Sequence, residues 1–337
     1  MRKLATIQKI EEVFPIEGAD RVQKARIQGW WCVVGKDDFI SGDKCLYFEV
    51  DSLLPNIPQF EFLLKGSSLK TIIIDGKEIK GHRLKTKRFL GQISQGLALP
   101  LNKFPEILDL DIGTDVSEQL NVFKYELPIP AHLSGEIKGS FPGFIPKTDE
   151  ERIQNCLDLL EQYKGQRFYV TSKLDGSSCT IYKYNGEFGV CSRNLELKET
   201  EKNTLWKIVN KYDLKYKIQE GYAIQGEIVG EGIQDNRLKL KGQDIYVFYV
   251  INLHSQEYLN LYRMKEFTDL LGLKTVPVVE DSFRLNHSCE DLLKMADGPS
   301  PLNSNVPQEG IVFRLYESTQ KITFKTISNE YLLKYGL

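Results

Sequence analysis

A chain of 337 residues is longer than one ordinary hydrophobic core accommodates and implies two domains. Hydrophobic residues make up 41% and charged residues 27%, the balance of a soluble globular protein, and no eighteen-residue apolar run is present to span a membrane. The formal net charge of −2 does not advertise a nucleic-acid binder, although such binding follows local rather than total charge.

The amino terminus, Met1-Arg2-Lys3-Leu4-Ala5, runs into alternating polar positions without a signal-peptide core. Cys32, Cys45, Cys156, Cys179, Cys191 and Cys289 form no Cys-x-x-Cys pair. Neither a disulfide framework nor a zinc site is expected, and reduced thiols point to an intracellular, cytoplasmic protein, with the nucleus left open. From Leu4 to about Leu120 short strands alternate with turn residues at Gly18, Gly29, Gly35, Gly42-Asp43, Pro55 and Asp75-Gly76. Trp30–Val34, Lys44–Val50 and Thr71–Ile74 are the strongest strand segments, and helical periodicity is scarce. The simplest all-β module of this size is a small barrel, for which an oligonucleotide-binding barrel is one candidate. Within it Lys77, Lys80, His82, Arg83, Lys85, Lys87 and Arg88 crowd a dozen residues, with Glu78 the only acid and Phe89 following. Such a segment suits a phosphate backbone, and a solvated basic loop is the bland alternative.

The stretch 127–148 is rich in Pro and Gly and reads as the connection between domains, giving expected domains of 1–125 and 126–337. Thr148 and Glu151 then form a capping-box signature, predicting a helix through Ile153, Leu157 and Leu160. Arg152 on that turn faces water or a nucleotide, water being the simpler expectation. Phe168-Tyr169-Val170 leads into Lys173-Leu174-Asp175-Gly176, after which Ser177–Tyr184 reads as a strand turning at Asn185-Gly186 into Glu187–Cys191. The segment 196–217 is mostly helical by propensity, with Leu205, Trp206, Ile208 and Val209 as its apolar face. Tyr222–Val229 and Asp244–Leu253 read as strands, separated by a loop that carries Lys239 and Lys241. Helices are predicted over Leu261–Leu271, Cys289–Met295 and Asn329–Tyr335, and strands over Gly310–Tyr316 and Lys321–Ile327.

The tetrapeptide around Lys173 places an amine where a strand ends, with a carboxylate two residues on. A lysine is nucleophilic only when neutral, and a free amine with a pKa of ~10.4 is almost never neutral at pH 7. Neighbouring cations or a metal ion depress that value. Strand alternation aligns Gln225 with Glu227, and Lys321 with Thr323 and Lys325. One wet face of an antiparallel sheet accounts for these polar positions equally well. Nucleotidyl transfer needs a nucleophile, cations against phosphates, and carboxylates that hold magnesium directly or through water. Asp175, Glu227 and Glu309 can supply the acids, Lys325 and Lys241 the cations, and Phe248 a flat face for a base, worth ~1–3 kcal/mol when stacked.

Taken in order, Lys173-Leu174-Asp175-Gly176, Ser192-Arg193-Asn194, Gly226-Glu227, Val247-Phe248, Glu309-Gly310 and Lys325 resemble the covalent nucleotidyltransferases, and most closely the ATP-dependent RNA ligases. Ala5–Pro55, with Gly18-Ala19-Asp20 and Gly42-Asp43 ahead of Leu46–Asp51, is similar to the amino-terminal barrel of one subfamily of these ligases. The resemblance implies an α+β chain: an amino-terminal OB-like small β-barrel, then a nucleotidyltransferase (ATP-grasp-like ligase) domain of antiparallel sheets with flanking helices. It implies ATP and Mg2+ or Mn2+ as cofactors, and a monomer acting on RNA with 5′-phosphate and 3′-hydroxyl ends, away from membranes. Lys173 would attack the α-phosphate of ATP and form a lysyl-adenylate, which passes to a 5′-phosphate before a 3′-hydroxyl expels AMP. Thr171, Gly176, Arg193, Asn194, Glu227, Phe248, Lys241 and Lys325 fall to the nucleotide in this scheme, and Asp175, Glu227 and Glu309 to the metal. Lys77, Lys80, Arg83, Lys85, Lys87 and Arg88 fall to nucleic acid.

Two positions depart from the family pattern. Thr323 stands where a first lysine of the last motif is common, and Tyr249 where an acid or amide often follows the stacking aromatic. Few residues follow Lys325, and the candidate barrel precedes the transferase motifs, an order that favours an RNA ligase over DNA ligases and capping enzymes. The competing readings are a ligase acting on DNA-containing ends, a GTP-using guanylyltransferase, and a non-catalytic RNA-binding barrel protein.

Overall fold

The computed structural model describes residues 2–65, 68–74, 76–126 and 136–337. Asp75 of the Asp75-Gly76 turn, and 127–135 of the connecting stretch, lie outside the described residues. The chain divides into two compact units, Met1–Ile129 with Leu332–Leu337, and Pro130–Tyr331. No helix among the described residues is long and apolar enough to cross a membrane.

The first unit is built from β1 (Ala5–Lys9), β2 (Glu12–Pro15), β3 (Val22–Ile27), β4 (Trp30–Gly35), β5 (Lys44–Phe48), β6 (Ser52–Pro55), β7 (Lys70–Ile74), β8 (Lys77–Arg83), β9 (Lys87–Phe89), β10 (Gln92–Ser94), β11 (Leu97–Pro100) and β12 (Phe123–Lys124). Strand β5 lies between β1 and β11, and alternation sends its side chains to two cores. Cys45 and Tyr47 join Trp30, Cys32 and Val34 in one, and Leu46 and Phe48 join Ile7, Phe60 and Phe104 in the other. Trp30, Cys32 and Val34 are buried while Trp31, Val33 and Gly35 are only half-buried, so β4 shows the period-2 pattern that its sequence announces.

The second unit contains β13 (Ile137–Ser140), α1 (Asp158–Gln162), β14 (Arg167–Lys173), β15 (Ser177–Tyr184), β16 (Glu187–Cys191), β17 (Leu195–Leu197), α2 (Thr204–Lys211), α3 (Leu214–Lys217), β18 (Tyr222–Gly230), β19 (Gln243–Asn252), β20 (Glu257–Tyr258), α4 (Leu261–Leu271), β21 (Lys274–Thr275), β22 (Val278–Arg284), α5 (Cys289–Met295), β23 (Pro299–Ser300), β24 (Asn303–Pro307), β25 (Gly310–Leu315) and β26 (Thr323–Ile327). Helix α6 (Asn329–Tyr335) closes the chain. An eight-stranded sheet runs β13-β17-β16-β15-β18-β19-β20, with β21 added beside β19, and a four-stranded sheet runs β22-β14-β25-β26. Trp206, Ile208 and Val209 of α2 and Leu261 and Met264 of α4 pack with Ile181, Ile224, Val247 and Val250 of the large sheet. Phe168 and Val170 of β14 pack instead with Phe313, Phe324 and Leu292, on the other face of the small sheet. Tyr169, Thr171 and Lys173 are thereby left on the opposite face of β14.

The predicted helix after Thr148 does not begin there. Thr148 Oγ1 meets Ser178 Oγ at 3.1 Å, outside any cap, and a short 3-10 turn at Ile153–Asn155 precedes α1. Segment 147–151 is drawn out by side-chain and main-chain bonds to the sheets, which outweigh its local capping preference. Arg152 is buried rather than turned to water, and forms a parallel bridge with Lys325.

Candidate active site

Lys173 ends β14 opposite Gly310, the first residue of β25. A β-carbon on Gly310 would meet the Thr326 carbonyl oxygen at 2.2 Å, so no side chain fits there. Gly176 is constrained in the same way, by the Ile228 carbonyl at 2.2 Å and the Glu227 Cγ at 3.0 Å. These glycines permit close backbone approach where the amine and the acids converge.

Antiparallel register arranges the open face of the small sheet in rows. Lys173 pairs with Gly310; Thr171 with Val312, and Val312 with Lys325; Tyr169 with Arg314, and Arg314 with Thr323. In the large sheet Ser178 pairs with Glu227 and Glu227 with Tyr246. Phe248 is the extra residue of a bulge, where the register of β18 on β19 slips between Gln225 and Gly226. Bulges re-aim side chains, and this one leaves Phe248 half-buried beside the fully packed Tyr249.

Lys173 Nζ donates to Glu309 Oε1 at 2.6 Å. Burial alone would lower the pKa of this amine, but Glu309, Glu227 and Asp175 outweigh it and hold the value above the ordinary one. Burial pushes Glu227 up to about 8, against the pull of Lys173, and raises Glu309 in the same sense. Glu309 Oε2 is buried without a hydrogen-bond partner. A desolvated acid pair with an unused carboxylate oxygen suits a divalent cation. Asp175 is drawn aside: Arg237 Nη1 donates to its Oδ2 at 3.0 Å, and no trio of acid, histidine or cysteine side chains among the described residues stands ready to hold a metal. Arg237 has no distinguishing sequence signal; it is one cation in a polar loop.

The other expected nucleotide residues divide. Lys325 lies near enough to Glu309 to stabilise its charged form. Arg193 Nη2 donates to Asp149 Oδ1 at 2.7 Å, and Asn194 Oδ1 accepts from Lys147 Nζ at 2.9 Å. Thr171 is buried and its hydroxyl accepts from Arg314 Nη1 at 2.5 Å, so its side chain faces that arginine. Lys241 is exposed on the loop before β19.

In the first unit Lys77, Lys80 and Arg83 lie on β8, Lys87 and Arg88 on β9, and Lys85 between them. Lys77, Lys80 and Arg88 are exposed. Arg83 is engaged by Asp51 at 2.9 Å and lies over the Tyr125 ring at 4.5 Å. His82 is not a cation for phosphate: it is buried, and burial lowers its pKa.

A strand-end lysine between two acids, a glycine pair clearing the backbone, a second lysine one row away and an aromatic at a bulge define a covalent nucleotidyltransferase. Comparison with protein families agrees: an OB-fold domain model matches residues 4–101 and an RNA ligase model matches residues 166–335. The chain belongs to the RNA ligase family. Its structure is similar to that of Naegleria gruberi RNA ligase with pyrophosphate, at 43% identity and a TM-score of 0.91, covering 100% of this chain and 99% of that one. A point variant of the same Naegleria gruberi ligase with ATP and Mn matches at 43% identity and a TM-score of 0.89, over 99% of this chain and 98% of that one. Another variant, with AMP and Mn, matches at 43% and 0.89, over 98% of each chain. Curated protein sequences give no match. The fold is accordingly α+β, with an amino-terminal OB-fold domain ahead of a sheet-rich ligase domain.

Proposed function

We propose that the protein is an ATP-dependent RNA ligase that joins 5′-phosphate and 3′-hydroxyl ends in three nucleotidyl-transfer steps. Once Lys173 has given up its extra proton, its neutral nitrogen bonds to the α-phosphorus of ATP, losing a further proton to solvent as the bond to the β-phosphate oxygen breaks and pyrophosphate leaves. An RNA 5′-phosphate oxygen then displaces lysine and takes the adenylate. Finally a 3′-hydroxyl attacks the activated phosphate, losing its proton as AMP departs. The observation that carries this reading is the 2.6 Å contact of Lys173 with Glu309, with Glu227 and Lys325 within electrostatic reach of the same pair.

Glu227 and Glu309 would hold a divalent cation, with Asp175 close by on Arg237. A bound Mg2+ or Mn2+ would neutralise the acids that keep Lys173 protonated and offset charge on the phosphate oxygens. Lys325 faces the α-phosphate, Arg193 and Asn194 the ribose and the incoming phosphate, and Phe248 the adenine. The domain of 1–125 grips RNA through Lys77, Lys80, Lys85, Lys87 and Arg88, and the protein acts as a monomer. Its six cysteines form no disulfide among the described residues and five of them are buried, which suits a reducing cytoplasm.

The test compares joining of 5′-phosphorylated and pre-adenylated RNA strands. Wild type seals the first with ATP and the second without it, whereas Lys173→Ala seals only the second. Sealing of the phosphorylated strand by Lys173→Ala, or labelling by GTP in place of ATP, contradicts the reading.

A further inference from the structure

Segment 146–152 joins nearly every part of the site. Gln225 Nε2 donates to the Pro146 carbonyl at 2.7 Å, and Lys325 N donates to the Glu151 carbonyl at 2.8 Å. Together with the contacts of Lys147, Thr148 and Asp149, these ties reach both sheets. At the centre is Glu150, whose side chain is 7% exposed. Its Oε1 accepts from the Tyr249 hydroxyl at 2.6 Å, and its Oε2 accepts from the Thr323 hydroxyl. Lys321 Nζ stands 3.5 Å from Oε1, and Arg314 lies over the Tyr249 ring at 4.7 Å.

An ionised carboxylate is acceptor-only, and burying it is costly unless every lone pair is used. A packing role alone would be met as well by apolar side chains, since replacing buried ion pairs with hydrophobic residues is often neutral or stabilising. What apolar residues cannot do is fix two hydroxyls from separate sheets to the two oxygens of one rigid group. Tyr249 follows Phe248, the aromatic at the bulge, and Thr323 lies one row from Lys325 on the same face of β26. Glu150 therefore spans from the aromatic platform of the large sheet to the cationic strand of the small one.

We propose that Glu150 is a positioning residue for nucleotide use, setting the separation between the base platform at Phe248 and the phosphate-facing Lys325. Tyr249 and Thr323 act through it as a matched pair. This rests on the reading of the site as one for a nucleoside triphosphate, in which base and phosphates must both be engaged for Lys173 to be in line. Misplacement of about 1 Å between such groups can cost on the order of a hundredfold in rate.

The test is single-turnover adenylylation of Lys173 across ATP concentrations, in the full-length protein, for wild type, Glu150→Gln, Tyr249→Phe, Thr323→Val and the double variants. Each change is near-isosteric, and melting temperatures are measured in parallel. Glu150→Gln is expected to lower the rate at subsaturating ATP at least tenfold, with Tyr249→Phe and Thr323→Val each lowering it several-fold. In the Glu150→Gln background either second change should add less than twofold, because its partner is already impaired. Losses that multiply independently, losses below twofold, or losses that vanish once the fraction unfolded is allowed for would each overturn the proposal. Should Glu150→Gln fail to fold, Tyr249→Phe combined with Thr323→Val carries the same comparison. If wild type forms no covalent AMP, the reading of the site fails instead, and the two failures are distinct.

Discussion

Lys173 keeps its proton in the ligand-free protein because Glu309, Glu227 and Asp175 outweigh the burial that would remove it. Burial, reinforced by Glu309 and Asp175, raises Glu227 to about 8 from an ordinary carboxylate value of 4.5, against the pull of Lys173. Between those values the folded protein binds more protons than the unfolded chain, so this group makes stability fall as pH rises. Glu227→Gln should flatten the decline of the urea midpoint between about pH 5 and 8 in metal-free protein; an unchanged slope would remove Glu227 as its source. Arg237 and Asp175 form the other ion pair of consequence, with side chains 17% and 13% exposed. Arg237→Ala leaves a mostly buried carboxylate without this partner and should cost about 2–3 kcal/mol, somewhat less than for a fully buried pair. Arg237→Lys retains the charge without the planar fork and should recover part of that loss in thermal unfolding. A melting temperature unchanged in Arg237→Ala would show that the pair contributes little.

At the scale of elements, the strands that carry the chemistry are legible because their patterns are local. Asn185 and Gly186 adopt φ of 55° and 77°, the left-handed pair that the Asn-Gly hairpin turn predicts. Helices Leu261–Leu271, Cys289–Met295 and Asn329–Tyr335 coincide with their sequence-based spans, two of them capped by Asn260 and Ser288. What the sequence conceals is long-range partnership. The Thr148-Glu151 signature promised a helix, but neighbours far along the chain claimed the segment first. Glu150, Arg314 and Arg237 have no motif of their own, and their roles come from residues 62 to 173 positions away. Gly310 tests the strand register directly. Gly310→Ala must push β25 from β26, given the 2.2 Å approach to the Thr326 carbonyl, and so displace both Glu309 and Lys325. Adenylylation should fall by more than tenfold, beyond what any loss of folded protein accounts for, and near-normal activity would mean that the strands can part without cost.

At the scale of the molecule, an overall charge of −2 coexists with a basic surface on β8 and β9. Lys85, Lys87 and Arg88, neutralised together, should reduce the slope of log affinity for single-stranded RNA against log salt by roughly 0.7 per lost contact. Adenylylation of Lys173 without RNA should be unaffected. An unchanged slope would assign this surface to something other than the phosphate backbone.

In the proposed reaction Lys173 becomes the carrier of AMP. Incubation of the intact protein with ATP and Mg2+, followed by proteolysis and mass spectrometry, locates the adenylate directly. One AMP is expected on the peptide containing Lys173, discharged when 5′-phosphorylated RNA is added. AMP on another residue, or its persistence at Lys173 in the presence of RNA, would contradict it.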